Sequence, residues 1–245
     1  MFINDDGIVL SAVLEKPEGQ EKCPLVILLH GFTSAKDRPH NLLAAAAMRE
    51  SGFATLRMDL YGHGESGGEF RKHTLYKWIS NTMAAIDWAR EAGYSELYLS
   101  GHSQGGLVAA LAAGMEVDRI RGLILRAPAF MIPRCAREGN MLGRSFDPDH
   151  IPDTVPVIKG LELEGNYIRV AQTIYPEQAA DRYQGPVLIL HGSEDDVVPP
   201  ADSQKMAARY RRCELALIPG ETHHFDRHPE EMQEIIRNWL GKNCT

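Results

Sequence analysis

The chain has 245 residues, 44% of them hydrophobic and 24% charged, an ordinary globular composition that excludes intrinsic disorder and fibrous repeats. Lys and Arg number 26 against 33 Asp and Glu, a formal charge of −7 with no long basic run, so a nucleic-acid groove, which needs many phosphate-neutralising cations, is excluded. No apolar stretch is long enough to span a bilayer, and the four cysteines (Cys23, Cys135, Cys213, Cys244) are dispersed with no CxxC pair. With an N-terminus that lacks a basic leader, this predicts reduced thiols and a cytoplasmic location.

A strand is predicted over 9–14, after the Asp6-Gly7 turn. A second falls at Leu25–Leu29, whose sequence LVILL suits a strand buried on both faces. An Ala-rich helix over 41–50 stops before Gly52, a residue type that commonly closes helices. A strand at Ala54–Met58 leads into a Gly-rich loop. A helix over 74–91 follows, with apolar residues at 75, 78, 79, 83, 86 and 89, near the 3.6 period. Then come a strand over 97–100, a small-residue helix over 105–115 and a strand over 122–125. From 129 to 184 no strong strand appears and Pro recurs at 133, 148, 152, 156 and 176. A connection that long is rarely structureless, so it is predicted to be an insertion seated on the sheet. A strand over 187–190, a helix over 201–211, a strand over 214–218 and a helix over 230–240 complete the chain. The alternation implies an α/β fold: one domain over 1–245 with a mostly parallel twisted sheet flanked by helices.

The segment Gly101-His102-Ser103-Gln104-Gly105 is a GxSxG between a strand and a helix, the context of a nucleophile elbow. Chance alone gives a GxSxG in roughly one of ten chains of this length at residue frequencies of about 7%, and the strand-before, helix-after setting lowers that several-fold. A serine hydroxyl needs a base to take its proton. Past the strand over 187–190, three acids sit together, Glu194, Asp195 and Asp196, of which Asp195 is favoured to orient an imidazole. Past the last strand lie His223 and His224, either of which could be the base, with His223 favoured. The main-chain N–H of Gln104 and that of Phe32, in the loop after Leu25–Leu29, are the candidate oxyanion donors. His63 lies in a Gly-rich loop, but no GxxxxGK[ST] and no GxGxxG after a first strand occur, so no nucleotide cofactor is expected. His223 and His224 are adjacent and lack ligand spacing, so no metal is expected either.

These residues resemble the α/β-hydrolase superfamily over nearly the whole chain: His30-Gly31-Phe32, Asp59-x-x-Gly62-His63-Gly64-x-Ser66, Gly101-His-Ser-Gln-Gly-Gly106, His191-Gly-x-x-Asp195-x-Val-Val-Pro199, and His223 followed by Phe225. The resemblance implies an α/β-hydrolase fold with Ser103, Asp195 and His223 as its triad. The GHSQGG elbow, His30-Gly-Phe-Thr33 and the insertion residues Phe146 to Asp153 with Tyr167-x-Arg169-x-Ala-Gln172 look like the bacterial cinnamoyl (feruloyl) esterases. That narrower resemblance implies a small cap over 129–184, a pocket for a phenolic acyl group, and Tyr167 approaching the phenol end of a small-molecule ester. Near Cys135, where some relatives carry an acid that reads the phenol hydroxyl, this chain has Arg134 and Arg137 as neighbours. A general carboxylesterase, a monoacylglycerol lipase and a non-catalytic receptor on the same fold are the competing readings. A homodimer is compatible with the sequence.

Overall fold

A computed structural model of the chain describes residues 1–141 and 143–243, apart from the Lys159 side chain. Twelve strands and eight helices occur among them. The chain opens with an antiparallel hairpin, β1 (Phe2–Asp5) and β2 (Ile8–Glu15), turned by Asp6 and Gly7 at φ 47° and 83°. Two successive positive φ values are what a two-residue hairpin turn requires. β1 was not expected from the sequence; it is a four-residue edge strand that turns only Ile3 into the core while Phe2 is exposed, too short a pattern to register as a strand.

The body follows as β3 (Leu25–Leu29), α1 (Pro39–Glu50), β4 (Ala54–Met58), α2 (Leu75–Glu91), β5 (Leu97–His102), α3 (Gln104–Met115) and β6 (Ile120–Arg126). The interval expected to be an insertion contains α4 (Ile132–Glu138), α5 (Asn166–Gln172) and α6 (Pro176–Arg182). It also holds two miniature ribbons, β7 (Asn140–Met141) with β8 (Arg144–Ser145) and β9 (Thr154–Pro156) with β10 (Glu162–Glu164). β11 (Val187–Gly192), α7 (Pro200–Ala207), β12 (Cys213–Ile218) and α8 (Pro229–Asn243) complete it. α7 ends earlier than predicted, at Ala207, and Tyr210 beyond it is buried.

The main sheet has the order β1-β2-β4-β3-β5-β6-β11-β12. Every neighbour from β4 to β12 runs parallel; only β1/β2 and β2/β4 are antiparallel. β3 shows why both faces are covered. Leu25, Ile27 and Leu29 join a core with Trp78, Ile86 and Leu107, while Val26 and Leu28 join another with Met48, Ile236 and Trp239. The period of two sends alternate side chains to opposite helix layers, so a central strand is apolar throughout. Thr74 caps α2, its hydroxyl accepting from the Lys77 N–H at 3.2 Å.

The insertion is tied together by Arg137, which donates to the carbonyls of Gln172 (3.1 Å) and Ile174 (2.9 Å), and by Gln172, which donates to Pro148 O at 2.8 Å. α6 lies on α3: a Cβ on Gly114 would come within 2.6 Å of Ala179 Cα. Cys23, Cys135 and Cys213 are free thiols, and Cys244 lies outside the described residues. Among the described residues no helix is long and apolar enough to cross a membrane.

Candidate active site

The sheet's carboxyl edge gathers the predicted residues from four segments. Ser103 stands between β5 and α3 at φ 55°, ψ −122°. This left-handed backbone is strained for any residue with a Cβ. Two glycines make it sterically feasible. A Cβ on Gly101 would lie 2.2 Å from Gly105 O, and one on Gly105 would lie 2.3 Å from His30 O. Thr33, Ala127 and Phe225 share positive φ with Ser103. All four sit in or beside loops that leave the carboxyl ends of β3, β5, β6 and β12, so among the described residues every non-glycine positive φ except that of the hairpin residue Asp6 lies at one rim.

The loop after β3 passes directly over the elbow: a Cβ on Gly31 would lie 3.0 Å from Ser103 Cβ. Phe32 N–H is on this loop, and Gln104 N–H opens α3, where the first N–H groups of a helix lack intrahelical partners. The loop is held by Asp59. Its carboxylate accepts from Lys36 N–H (2.7 Å), Lys36 Nζ (2.7 Å) and Glu65 N–H (3.0 Å). Burial works to raise the Asp59 pKa, and these donors overcome it and hold it low. A Cβ on Gly64 would fall 2.1 Å from Asp59 Oδ2, which accounts for the glycine there. His63 belongs to this scaffold, its Nδ1 donating to Tyr61 O at 3.0 Å. His30 Nε2 accepts from Leu60 N–H at 3.0 Å. Burial, then the nearby His63, push the His30 pKa down to about 3.

His223 and Asp195 meet as expected: Nδ1 and Oδ2 are 2.7 Å apart and both side chains are buried. Asp195 also accepts from the N–H groups of Val197 (2.9 Å) and Val198 (2.8 Å). A further partner was not foreseen. His191 Nε2 lies 3.0 Å from Asp195 Oδ2, and its Nδ1 lies 2.7 Å from Ser203 Oγ. A carboxylate only accepts, so Nε2 carries the proton and Ser203 donates to Nδ1. Burial alone would raise the Asp195 pKa; hydrogen bonds from His191 and His223 outweigh it and keep the carboxyl ionised. Glu194 instead pairs with Arg227 at the surface, and Asp196 is exposed.

His102 was also missed. Its Nε2 lies 2.8 Å from His223 O, and since a carbonyl only accepts, Nε2 is the protonated nitrogen. The residue before the elbow serine thereby fixes the loop that carries His223. His224 projects beside it and is exposed. Among the described residues, His40, His102 and His224 bring one ring nitrogen each within 4.8 Å of one another, a cluster that spacing along the chain does not disclose. Arg126, wholly buried at the end of β6, braces the start of α1 by donating to His40 O (3.0 Å) and Asn41 Oδ1 (2.9 Å).

Tyr167, on α5 of the insertion, is 1% exposed and donates to Gln104 Oε1 at 2.7 Å. The structure thus places its hydroxyl on the residue that follows Ser103. Its ring faces Phe32 (6.3 Å between centroids) and His73 (5.0 Å), and Phe32 faces Phe70 (5.5 Å). Cys135 is half-buried on α4, and burial raises its pKa. Beside it Arg134 pairs with Asp202 of α7 at 3.1 Å.

A strained serine at a strand–helix elbow, on a mainly parallel sheet of this order, defines an α/β hydrolase of the serine type. The chain belongs to the family described as serine aminopeptidase, S33, whose model matches residues 20–152 and 166–229. The unmatched residues 153–165 span the β9–β10 ribbon. Est1E from Butyrivibrio proteoclasticus, solved with ferulic acid bound, is 46% identical with a TM-score of 0.97, covering 99% of this chain and 98% of that one. The putative esterase YitV of Bacillus subtilis is 26% identical over 243 residues, 94% of this chain and 86% of the relative. A thermostable monoacylglycerol lipase of Bacillus sp. (strain H-257) is 27% identical over 187 residues, 73% of each. The chain is a serine ester hydrolase.

Proposed function

We propose that the chain cleaves esters of hydroxycinnamic acids through an acyl-enzyme on Ser103, with His223 as base and Asp195 as its orienting acid. The observation that carries the substrate class is the likeness to Est1E with ferulic acid bound, close in both sequence and backbone. Ser103 Oγ attacks the ester carbonyl as His223 Nε2 takes its proton. Asp195, held ionised, receives the Nδ1–H and stabilises the imidazolium. The N–H groups of Phe32 and Gln104 receive the oxyanion, where losing one such donor costs on the order of 3 kcal/mol. His223 then protonates the leaving alcohol, and water activated by the same ring releases the acid.

Residues 129–184 act as the cap in this reading. Phe32 and Phe70, both partly exposed and backed by the buried rings of His73 and Tyr167, offer a planar acyl group flat partners, which a long alkyl chain would not need. The dispersed free thiols suit a cytoplasmic setting, in which the substrate is a small, already released ester.

The test compares kcat/KM for methyl ferulate, methyl cinnamate, p-nitrophenyl butyrate and a medium-chain monoacylglycerol. Hydroxycinnamates should lead by at least about tenfold, a difference a shaped pocket supplies. Flat activity on them with strong turnover of the glyceride would overturn the substrate class in favour of a monoacylglycerol lipase.

A further inference from the structure

We propose that His40, His102 and His224 form a binding site for a single divalent transition-metal ion, with Zn2+ as the probe ion. The three residues come from three separate segments: the start of α1, the end of β5 and the loop after β12. Their rings face one another, with centroids 4.3 Å apart for His40 and His102, 5.6 Å for His40 and His224, and 5.7 Å for His102 and His224.

Two of the nitrogens are buried and have no hydrogen-bond partner: His40 Nε2 and His102 Nδ1. Their residues are 7% and 1% exposed. A buried ring nitrogen left unpaired is costly, so two of them on rings whose centroids lie 4.3 Å apart call for an occupant. The tautomer of His102 is already the one a metal needs. Its Nε2–H is committed to the His223 carbonyl, which leaves Nδ1 as a buried lone pair with no hydrogen-bond partner. A carbonyl on the far nitrogen of a ligating imidazole is the usual second partner in such sites.

Three imidazoles suit zinc and copper and do not suit magnesium or calcium, which take oxygen ligands. A tetrahedral ion at about 2.0 Å from each nitrogen sets nitrogens about 3.3 Å apart. The cluster spans up to 4.8 Å, so it must contract slightly. His224 is the exposed member and is free to swing in, while solvent supplies a fourth ligand. Arg126 near His40 and Arg38 near His40 and His224 oppose a dication, and the carboxylates of Asp226 and Asp195, on the His224 side, favour it. The ion would clamp the elbow, α1 and the His223 loop to one another.

Untagged full-length chain, stripped with chelator, is titrated with ZnCl2 by calorimetry, and the loaded protein is measured by X-ray absorption. One ion per chain is expected, with three nitrogen ligands at about 2.0 Å, and Tm should rise with zinc concentration. His224→Ala, an exposed change that spares the fold, should weaken binding by roughly tenfold or more, as loss of site order does in metal proteins. His150→Ala, which removes the exposed imidazole beside Asp147, should leave it unchanged. No saturable binding, an affinity untouched by His224→Ala, or an affinity lost in His150→Ala would each overturn the site. None of these readouts depends on which ester is cleaved.

Discussion

His102 donates its Nε2–H to the main-chain carbonyl of His223 at 2.8 Å, so the residue before the elbow serine positions the loop that holds the proposed base. The two side chains lie with ring centroids 4.7 Å apart, and both residues are buried. Replacing His102 with Ala strands that carbonyl away from water, at a cost of about 1–3 kcal/mol. It also frees the loop. The expected result is a kcat lower by roughly 10- to 100-fold with KM nearly unchanged, since a small misplacement of a catalytic group acts on the chemical step. His102→Gln, whose amide N–H can reach the same carbonyl, should recover part of it. Equal loss in both variants would show that the bond does not position His223.

Ser103 is both the proposed nucleophile and a residue at positive φ. Ser103→Ala should remove nearly all turnover, by roughly 10⁴-fold or more, if it is the nucleophile. His223→Ala should be comparably severe and His224→Ala mild when metal is absent. Stability supplies an independent check. At φ 55° and ψ −122° an Ala keeps the strain of Ser, whereas Gly relieves it. Ser103→Gly should therefore be inactive yet more stable than Ser103→Ala by up to about 1 kcal/mol in denaturant unfolding. A Gly variant less stable than the Ala variant would contradict the strained elbow.

The sheet and the chemistry were legible to different depths. Central strands such as β3 announce themselves, because burial on both faces forces an unbroken aliphatic run. GxSxG was legible because glycine alone fits at Gly101 and Gly105, where a Cβ would strike backbone oxygen. Asp195 and His223 could be placed by strand-end order, and their meeting at 2.7 Å follows that order. His191, His102 and the Tyr167–Gln104 bond were not legible. Each depends on a side-chain direction fixed only when separate segments pack, and a lone buried histidine leaves no periodic trace. β1 escaped because a four-residue edge strand with Ile3 as its only buried side chain gives too short a pattern to read. His40 meets His102 and His224 across 62 and 184 positions of sequence, a separation that no spacing rule for metal ligands covers.

The interior should make the fold sensitive to mild acid. His30 and His73 are buried, and burial, with the charge of neighbouring His63, pushes the pKa of each down to about 3 from an ordinary 6.5. Between those values the unfolded chain binds protons that the folded chain refuses, so folding stability falls as pH drops from about 6.5 toward 3. Each such group adds a slope of up to about 1.4 kcal/mol per pH unit in that window. Asp195 acts lower down. Its folded pKa is depressed below 3.8, so its contribution is present above that value and is lost as pH falls further. Denaturant unfolding at pH 4.5, 5.5 and 6.5 should show stability rising with pH. His73→Phe, which keeps a ring against Phe32, Phe70 and Trp78, should reduce the slope by close to one proton. A flat profile over that range would mean these imidazoles are protonated in the folded state.

Tyr167 offers the sharpest separation between two roles for the cap. Its hydroxyl donates to Gln104 Oε1 at 2.7 Å, and Gln104 supplies a proposed oxyanion donor through its main chain. Tyr167→Phe leaves that buried amide oxygen unpaired while keeping the ring against Phe32 and His73. If the tyrosine acts by holding Gln104, kcat should fall several-fold to about tenfold for every ester, because an interaction realised in the transition state has weakened. The ratio of kcat/KM for methyl ferulate over methyl cinnamate should not move. If the hydroxyl instead turns away to read a phenol, KM should rise for methyl ferulate alone and that ratio should drop by about tenfold, the cost of one hydrogen bond. The bond to Gln104 favours the first outcome, and the paired substrates decide it in a single variant.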